Sequence, residues 1–554
     1  MTPRLLAGWL AAAALGTAAC TPAPPEYDLL ITHARIVDGS GRASVDGAVA
    51  VRDGRIAAVG DVDGTAARTI DARGRVLAPG FIDMHSHSDI PLVTDGDAQS
   101  KIRQGVTTEV IGESGSVAPR GSATQAAPWL DFDGYFGVLE RQGISVNLLS
   151  YIGLGTVRSL VVGEDDRPAT ADEVARMRQI VVEALGQGVF GVSTGLLYPP
   201  NAYASLDELV ALTEPAGAAG GLHASHLRYD GAKLADGLNE IITIGERART
   251  PVHVFHIKVT GQRNFGRMQE VVDLVEAARA RGLRVTADQY PYVASSTSLT
   301  ATIPDWVEEG GTDAMVERLR DPATRARIRR EMEDPNPDWE NRYQSAGTWQ
   351  NIQLAAIGRE RGRETTTASP NRQYEGMRIA EAAARAGKDP FDFVFDLLVE
   401  EHGSVGCVYF IMSEDDLRLA MRQPWVAIGS DGSALATEGP LHAGVPHPRN
   451  FGTFPRVLGR YVRELQVIPL EEAVRKMTAL PASILGLPDR GTIAPGQVAD
   501  LVLFNPDTVI DTATFEDPFQ YPTGIDTVIV NGTVVLDEGE HTHARPGQVL
   551  RRPH

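Results

Sequence analysis

Two histidines stand two positions apart in the segment FIDMHSH, residues 81–87. Because side chains at positions i and i+2 of a β-strand point to the same side, His85 and His87 can present both imidazoles to one ligand. Neutral imidazole is a preferred ligand of zinc. The apolar run before the pair indicates a buried strand, so we predict a metal-binding pair at the carboxyl end of that strand.

Side chains able to bind metal or carry protons follow four more apolar runs. They are Glu113 in IGESGS, His226 in HASHLR, His256 in HVFHIKV and Asp431 in IGSDGS. One such residue alone is more often a hydrogen-bonded core histidine or a helix cap, but agreement between five strand ends favours one shared site. His223 and His253 each precede a candidate by three positions, an odd offset that places them on the opposite strand face. We therefore predict structural roles for both.

The middle of the chain alternates strand-like runs with helical segments. The runs include GVTTEVIG, GVFGVSTG, PVHVFHIKV, LRVTADQYPYV and WVAIGSDG. This alternation is typical of an α/β protein with a (β/α)8 TIM-type barrel, which we place at residues 77–489. Thr170 and Glu173 form a capping box for one helix. Residues from about 310 to 364 are charged and rich in Arg, without a strand-like run, and predict an insertion that could cover the site.

Both ends of the chain have a sequence pattern different from that of the middle. Residues 27–76 and 490–550 read as short strands with alternating apolar residues, separated by turn pairs such as Asp-Gly. Because these two β-rich segments flank the long middle, we predict that they join in one small β-sandwich domain formed from both chain ends.

The composition restricts the classes of function. The 554 residues carry 52 Lys and Arg against 72 Asp and Glu, a formal net charge of −20, and no block rich in basic residues. Recognition of a phosphate backbone needs such a basic surface, so no nucleic-acid partner is expected. The two cysteines, Cys20 and Cys407, provide neither a disulfide framework nor a cysteine zinc cluster. Any metal site must therefore use histidines and carboxylates.

The first twenty residues have the layout of a secretory signal segment. Arg4 precedes the apolar run LLAGWLAAAALG, which ends in the small residues TAAC. The run is too short to span a membrane in the mature protein. We therefore expect an exported protein, either periplasmic or anchored to the membrane as a lipoprotein. Cys20 matches the lipidation site of bacterial lipoproteins, but Thr17 stands where that pattern prefers Leu, so lipid attachment and simple cleavage both stay open.

A series of longer motifs points to one protein family. PGFIDMHSH, QGVTTEVIGESGS, GVSTGLLYPP, HASHLRYDG, HIKVTG, DQYPYVASSTSL, GSDGS, HPRNFGTFPRVLGRY and GTIAPGQVADLVLF occur within roughly residues 27–540. With these motifs the chain resembles the N-acyl-D-amino-acid deacylase (D-aminoacylase) family of the amidohydrolase superfamily. The resemblance implies a metal-dependent hydrolase that cuts the amide bond of an N-acyl-D-amino acid into a carboxylic acid and a free D-amino acid. It also implies one or two divalent ions, with zinc as the first expectation.

The resemblance further implies roles for the strand-end residues. His226 and His256 would bind the tighter metal ion. His85 and His87 would line a second metal position. Asp431 would serve both as a metal ligand and as the general base.

Substrate contacts are implied in the same way. Lys258 and Arg449 would hold the α-carboxylate of the substrate. Tyr198 in LLYPP would polarise the scissile carbonyl. Tyr290 and Ser296 would contact the substrate, and Lys258, two residues after His256, would share its strand face.

One position departs from the family pattern. Many members carry Gly-Asn-Cys-Gly, with a metal-binding cysteine, where this chain has GESG at residues 112–115. Strict alignment puts Ser114 at the cysteine position, but a neutral hydroxyl is a poor zinc ligand and the Glu113 carboxylate is a good one. We predict that Glu113 takes the metal role and could bridge two ions. Without a thiolate, such a site would accept Mn, Co or Fe nearly as readily as Zn.

Two alternative functions stay open on the sequence alone. The same barrel could open cyclic amides, as hydantoinases and dihydroorotases do, or cut β-aspartyl dipeptides. Those relatives commonly bridge their metals with a carbamylated lysine, whereas the resemblance assigns Lys258 to the substrate. A non-catalytic scaffold on this fold is the second alternative, and the complete set of metal-binding residues argues against it.

Overall fold

The structure is a computed structural model that describes residues 25–121, 124, 126–360, 363–364 and 369–553. The predicted signal segment and Cys20 lie outside the described residues. Among the residues it describes, no helix is long and apolar enough to cross a membrane.

The described strands and helices alternate through most of the chain. The strands are β1 Tyr27–Ile36, β2 Val45–Arg52, β3 Arg55–Gly60, β4 Ala66–Asp71, β5 Val76–Pro79, β6 Phe81–Asp83, β7 Val106–Ile111, β8 Asn147–Ser150, β9 Ile152–Gly153, β10 Gly191–Gly195, β11 Leu222–His226, β12 Val252–Val254, β13 Val285–Gln289, β14 Ser295–Ser298, β15 Ile352–Ile357, β16 Arg359–Glu360, β17 Arg363–Glu364, β18 Val405–Tyr409, β19 Val426–Ile428, β20 Leu501–Phe504, β21 Ile525–Val530, β22 Thr533–Asp537 and β23 Glu540–His541. The helices are α1 Asp89–Thr94, α2 Gln99–Ile102, α3 Phe132–Gln142, α4 Leu154–Val161, α5 Ala171–Gly186, α6 Leu206–Ala218, α7 Leu234–Ala248, α8 Met268–Ala280, α9 Thr312–Arg320, α10 Pro322–Glu333, α11 Arg342–Ala346, α12 Ile379–Ala386, α13 Pro390–Glu400, α14 Glu414–Met421, α15 Arg449–Arg456, α16 Leu470–Met477 and α17 Ala479–Leu485.

Parallel strands at eight positions form the centre of the molecule. β6, β7 and β8 make one parallel sheet, and a second runs in the order β9-β10-β11-β12-β13-β19. Only Tyr151 separates β8 from β9, and a parallel bridge between Ser86 and Gly432 joins the first and last positions of the series. Every residue of β7, β10, β11 and β13 is buried, as expected for strands covered on both faces. The fold is the predicted (β/α)8 barrel.

The helix predicted from its capping box is α5. Thr170 accepts a hydrogen bond from the backbone N–H of Glu173, and the Glu173 side chain accepts one from the backbone N–H of Thr170. This arrangement satisfies donors that the first turn of a helix cannot pair internally. The capping box therefore starts the helix at the predicted residue.

Both chain ends contribute to one nine-stranded sheet. Its order is β23-β22-β21-β20-β5-β1-β2-β3, with β4 paired to β1. The N-terminal and C-terminal parts meet where β20 pairs antiparallel with β5. Alternate residues face opposite sides: Leu501 and Leu503 pack in a core of the sheet's own, while Val502 and Phe504 pack against the barrel. Strands from both chain ends thus pair directly, as the prediction of one β-sandwich domain from both ends requires, and they do so within a single sheet.

A third unit is inserted between barrel strands β13 and β19. Its antiparallel sheet has the order β14-β18-β15, and its helices α9–α13 enclose a separate hydrophobic cluster that runs from Leu299 to Ile411. The sequence predicted no strand between about 310 and 364, but β15 lies there. The run that forms β15 is only six residues long, and its partner β18 follows about 50 residues later, so the local sequence carries little signal.

Candidate active site

The predicted metal-binding residues meet at the carboxyl ends of the barrel strands. They are His85 and His87 after β6, Glu113 after β7, His226 at the end of β11, His256 after β12 and Asp431 after β19. Because the strands are parallel, these ends lie on one side of the barrel. Two groups result in which the possible ligand atoms all lie within 4.8 Å of one another: His85, His87, Glu113 and Asp431 in one, and Glu113, His226 and His256 in the other.

Glu113 belongs to both groups, with one carboxylate oxygen facing each. Its Oε2 lies 2.9 Å from His85 Nε2 and 3.1 Å from His87 Nε2. Its Oε1 lies 3.3 Å from His226 Nδ1 and 3.7 Å from His256 Nε2, and no described residue gives this oxygen a hydrogen bond of good geometry. A buried carboxylate oxygen without a donor is costly unless a cation binds it. Glu113 therefore presents one carboxylate oxygen to each of the two groups of possible ligands.

The charges around Glu113 determine which groups are ionised. Burial raises the pKa of Glu113, but contacts with His85, His226 and His256 hold that pKa well below its usual value. Burial lowers the pKa of His226 to about 3, and the positive charges of His256 and Lys258 act in the same direction. At pH 7 the carboxylate is ionised and the His226 imidazole is neutral. These are the protonation states in which both groups bind metal.

Ser114 lines the same cavity, but its hydroxyl is hydrogen-bonded to a side chain outside both groups. Its Oγ accepts a hydrogen bond from Asn201 Nδ2 at 3.1 Å. Its backbone adopts a left-handed conformation with φ of 56°. This turn after β7 directs Glu113 toward the histidines and the Ser114 hydroxyl toward Asn201, so the geometry favours Glu113 over Ser114 as the ligand.

Asp431 is held between histidines and an arginine. Its Oδ1 lies 2.9 Å from His87 Nε2 and 3.6 Å from His85 Nε2, and its Oδ2 lies 2.6 Å from Arg449 Nη1. Burial raises the pKa of Asp431, but the positive charge of Arg449 and contacts with His85, His256 and His87 outweigh burial and lower this pKa. Asp431 is therefore an anion at neutral pH.

Arg449 and Lys258, the two residues predicted to hold a substrate carboxylate, both contact carboxylates of the protein. Arg449 pairs with Asp431, and Lys258 Nζ lies 3.2 Å from Asp230 Oδ2. A substrate carboxylate would have to share or replace these partners. Lys258 Nζ also lies 2.8 Å from His256 Nδ1.

Two predictions of a shared strand face are wrong. Strand β6 ends at Asp83, before His85 and His87, and the second case is that of His256 and Lys258. Strand β12 ends at Val254, and His256 adopts a left-handed φ of 36°. The two side chains are close because the chain turns after the strand. The alternation of side chains applies only as far as the strand is paired, and the sequence does not show where this strand ends.

Two charged residues near Lys258, Asp230 and Arg342, were not predicted from the sequence. Asp230 accepts two hydrogen bonds from Arg342, at 2.5 Å between Nη1 and Oδ1 and 2.9 Å between Nη2 and Oδ2. This planar, two-point pairing joins the segment after β11 to helix α11 of the inserted unit. The partners are 112 positions apart. In the sequence, Asp230 followed by Gly231 reads as an ordinary turn, so no local signal could have found the pair.

The remaining predicted substrate contacts surround the same space. The Tyr198 hydroxyl lies 2.8 Å from Thr297 Oγ1, and burial raises the pKa of Tyr198. The Tyr290 ring packs under the Arg449 guanidinium at 4.9 Å. The Ser296 hydroxyl donates to the backbone oxygen of Cys407 at 2.9 Å.

A cavity of about 840 Å³ opens over these residues. This volume lies within the range of small-molecule sites. Of the residues predicted for the site, those that line the cavity are His87, Glu113, Tyr198, His226, His256, Lys258, Tyr290, Ser296, Asp431 and Arg449. His85 is fully buried behind them.

Asp288, on β13, supports the histidines from below. Its Oδ1 accepts a hydrogen bond from the backbone N–H of His256, and its Oδ2 lies 2.9 Å from His253 Nε2. His85 Nδ1 lies 3.7 Å from Oδ1. Carboxylates in such positions orient metal-binding histidines. His253 is thus placed to hold Asp288, in line with its predicted structural role, and His223 contacts Thr194 away from the ligand groups.

Asp97, His541 and His543 form a third group of possible metal ligands, away from the barrel mouth. His541 Nε2 contacts the backbone oxygen of Asp97, and His541 Nδ1 accepts from the backbone N–H of His543. Both ring nitrogens of His541 are therefore occupied. Arg545 adds a positive charge at 2.8 Å from Asp97 Oδ1, which makes this group unsuited to a cation.

Known proteins with similar sequences and structures are amidohydrolases. The sequence profile of the amidohydrolase family matches residues 68–536. A D-aminoacylase of Alcaligenes xylosoxydans xylosoxydans is 38% identical over 539 residues, which cover 95% of this chain and 98% of the relative. The crystal structure of N-acyl-D-glutamate deacylase from Bordetella bronchiseptica, in complex with zinc and a phosphonate mimic of the tetrahedral intermediate, superposes with a TM-score of 0.79. That protein is 32% identical, and the match covers 95% of this chain and 99% of the other.

Enzymes that open cyclic amides are more distant. The L-hydantoinase of Arthrobacter aurescens covers 95% of this chain and 100% of its own, but with 18% identity and a TM-score of 0.54. That likeness concerns the fold alone.

Proposed function

The chain belongs to the amidohydrolase family, and from this premise we propose that it hydrolyses N-acyl-D-amino acids to a carboxylic acid and a free D-amino acid. The observation that carries the proposal is the position of Glu113 between two histidine pairs, beside Asp431 and beneath a cavity of substrate size. The deacylase relatives support a linear amide as the substrate, whereas hydantoinases share only the fold. The complete ligand set speaks against a scaffold without activity.

The ligand set suits divalent ions of intermediate hardness, with zinc first. His226, His256 and Glu113 would hold one ion. His85, His87 and Asp431, together with Glu113, would hold a second. The buried Glu113 Oε1, which has no hydrogen-bond partner among the described residues, fits such an occupant. When bound, a divalent ion supplies two effects: it lowers the pKa of water to about 7 and polarises the carbonyl of the amide.

Asp431 would carry the proton. Its carboxylate is ionised and buried, so it can take a proton from the attacking water and later return it to the departing amine. Because burial raises the pKa of Tyr198, its phenol keeps its proton and can donate a hydrogen bond to the oxygen that gains charge. Thr297, the hydroxyl partner of Tyr198, would hold the phenol in place.

Lys258 and Arg449 would bind the α-carboxylate of the substrate. Together with the carbonyl position set by the metal-binding residues, this anchor leaves one direction for the side chain at the α-carbon, which would select one enantiomer. The relatives that act on N-acyl-D-amino acids support the D configuration.

The test is hydrolysis of matched N-acetyl-D- and N-acetyl-L-amino acids by the zinc-reconstituted protein, with Asp431→Asn as the control variant. We expect activity on the D series only, and a loss in kcat of about 10² to 10⁴-fold in the variant. Preference for the L series or equal rates in wild type and variant would contradict the proposal. Opening of a hydantoin ring at a comparable rate would favour the cyclic-amide alternative.

We also infer that the protein is exported and that Cys20 is a candidate for lipid attachment. The support is the signal-like pattern of the first twenty residues. Incorporation of labelled fatty acid by the wild type, and its loss in Cys20→Ser, would support the anchor. Labelling that persists in the variant would contradict it.

A further inference from the structure

A fully buried lysine lies behind the metal-binding residues. Lys101, on α2, has no exposed side chain and does not line the cavity. Its Nζ donates to Asp83 Oδ2 at 2.7 Å, to Ser430 Oγ at 2.8 Å and to the backbone oxygen of Gly432 at 3.0 Å. These three bonds use all three N–H groups of the ammonium.

Asp83 extends this network to the histidines. Its Oδ1 accepts hydrogen bonds from the backbone N–H groups of Ser430, at 2.8 Å, and His85, at 3.2 Å. Its Oδ2 accepts a bond from Ser430 Oγ at 2.5 Å in addition to that from Lys101. The Lys101–Asp83 pair therefore ties the end of β6 to the segment after β19.

These bonds lie on the seam between the first and last barrel strands. The Gly432 oxygen that Lys101 binds also accepts from the backbone N–H of His87 at 2.9 Å, and the N–H of Asp431 donates to the oxygen of His85 at 2.8 Å. Asp431 itself has a left-handed φ of 51°, an uncommon conformation for a residue other than glycine, although Asp adopts it more readily than most. Such a conformation persists only where the surroundings impose it.

We propose that Lys101 is a positioning residue for Asp431. By binding Gly432 and Ser430 on either side of Asp431, and Asp83 across the seam, Lys101 keeps the Asp431 carboxylate turned toward His85 and His87. The proposal rests on the proposed function, in which Asp431 is ligand and proton acceptor. Groups that orient ligands in this way typically change metal affinity or activity 10–100-fold when removed.

The test compares three variants of the full-length protein. Lys101→Met removes the ammonium but leaves the Asp83 charge buried and unpaired, which can prevent folding. Lys101→Met/Asp83→Asn removes both charges of this pair and is the informative variant. The buried Glu109 carboxyl, 3.5 Å from Lys101 Nζ, remains in this variant, and burial raises the pKa of Glu109, so that this group can stay neutral. Lys476→Met is the matched control, because Lys476 is also fully buried and donates to the backbone oxygen of Val426 at 2.9 Å, at the opposite end of β19.

For the double variant we expect kcat to fall about 10- to 100-fold and KM to change less than about threefold. We expect Co²⁺ to bind about 10- to 100-fold more weakly, with an altered visible spectrum that reports the ligand geometry. Lys476→Met should lower the Tm but leave kcat and the Co²⁺ spectrum as in the wild type.

A double variant with wild-type kcat and spectrum would overturn the positioning role. So would Lys476→Met if it changed both to the same extent, because Lys101 would then act only through packing. A wild type that binds Co²⁺ but hydrolyses no N-acyl amino acid would contradict the proposed function instead. The Co²⁺ comparison would still test Lys101 in that case.

Discussion

Glu113 Oε2 lies 2.9 Å from His85 Nε2, although the two residues follow different strands and are 28 positions apart. The contact arises because β6 and β7 are parallel neighbours whose carboxyl ends meet. Glu113 supplies a hard, anionic carboxylate oxygen, whereas many members of the family supply a soft thiolate from the next position of the turn, which Ser114 occupies here. With oxygen in place of sulfur, the selectivity of the site among divalent metals should differ from that of those members.

Replacement of Glu113 should abolish tight metal binding, and replacement of its neighbour should not. Glu113→Gln removes the charge that faces both histidine pairs, so we expect the affinity for Zn²⁺ to fall by more than about 100-fold, beyond the effect of orienting groups. Ser114→Ala is the matched control and should keep wild-type metal content. Metal analysis by mass spectrometry would measure both. Loss of metal in Ser114→Ala alone would reassign the ligand.

Arg449→Met should raise KM for substrates with a free α-carboxylate. A hydrogen bond to a charged group contributes about 1.5–3 kcal/mol, which corresponds to a rise of roughly 10- to 100-fold. Steady-state kinetics with an N-acetyl-D-amino acid and with its neutral C-terminal amide would measure the effect, and only the acid should be affected. Equal losses on both substrates would mean that Arg449 acts through its ion pair with Asp431.

Asp230→Asn should destabilise the fold strongly. The change leaves the buried Lys258 and Arg342 without their shared anion, and breaking a buried ion pair costs about 3–5 kcal/mol in the free energy of unfolding. Asp207→Asn is the control, because the Arg247–Asp207 pair is exposed and should contribute at most about 1 kcal/mol. Urea unfolding would compare them. Similar midpoints for the two variants would contradict the importance of the buried network.

Glu308 should make stability depend on pH. Burial raises the pKa of Glu308 to about 7, and the charges of Asp305 and Glu164 act in the same direction. Between about pH 4.5 and 7 the folded protein then binds more protons than the unfolded chain. The contribution of Glu308 to the free energy of unfolding therefore decreases as the pH rises and is lost above about pH 7. Thermal unfolding from pH 5 to 8 should show that Glu308→Gln gains stability relative to the wild type as the pH increases. A constant difference between the two proteins would contradict the shift.

Local sequence patterns predicted the barrel and the set of metal-binding residues because each strand, and the polar residue that follows it, can be recognised by itself. A buried apolar run that ends in a polar side chain marks a strand end, and parallel order puts all such ends on one side. Thus His226 and Asp431 could be placed near each other although 205 positions separate them in the sequence (431 − 226). Their common site followed from topology rather than from any pairwise signal.

The parts that escaped prediction depend on contacts between distant segments. The pairing of Asp230 with Arg342, and of Lys101 with Asp83 and Gly432, joins elements whose approach only the complete fold decides. Buried charges of this kind look in sequence like ordinary surface residues. Without a partner, a buried lysine would be unfavourable, but the sequence does not show which lysine is buried.

The mixed origin of the nine-stranded sheet has a consequence for synthesis. Leu501 pairs with Pro79, which is 422 positions earlier (501 − 79), so one edge of β5 has no partner until almost the whole chain exists. At about 5–20 residues per second, translation reaches β20 roughly 20 to 80 seconds after β5. During that interval the nascent chain carries an open strand edge that invites mispairing, so a chaperone that shields it should increase the yield of native protein. Pulse-labelled chains arrested before β20 should accordingly be more protease-sensitive in their first strands than the finished protein.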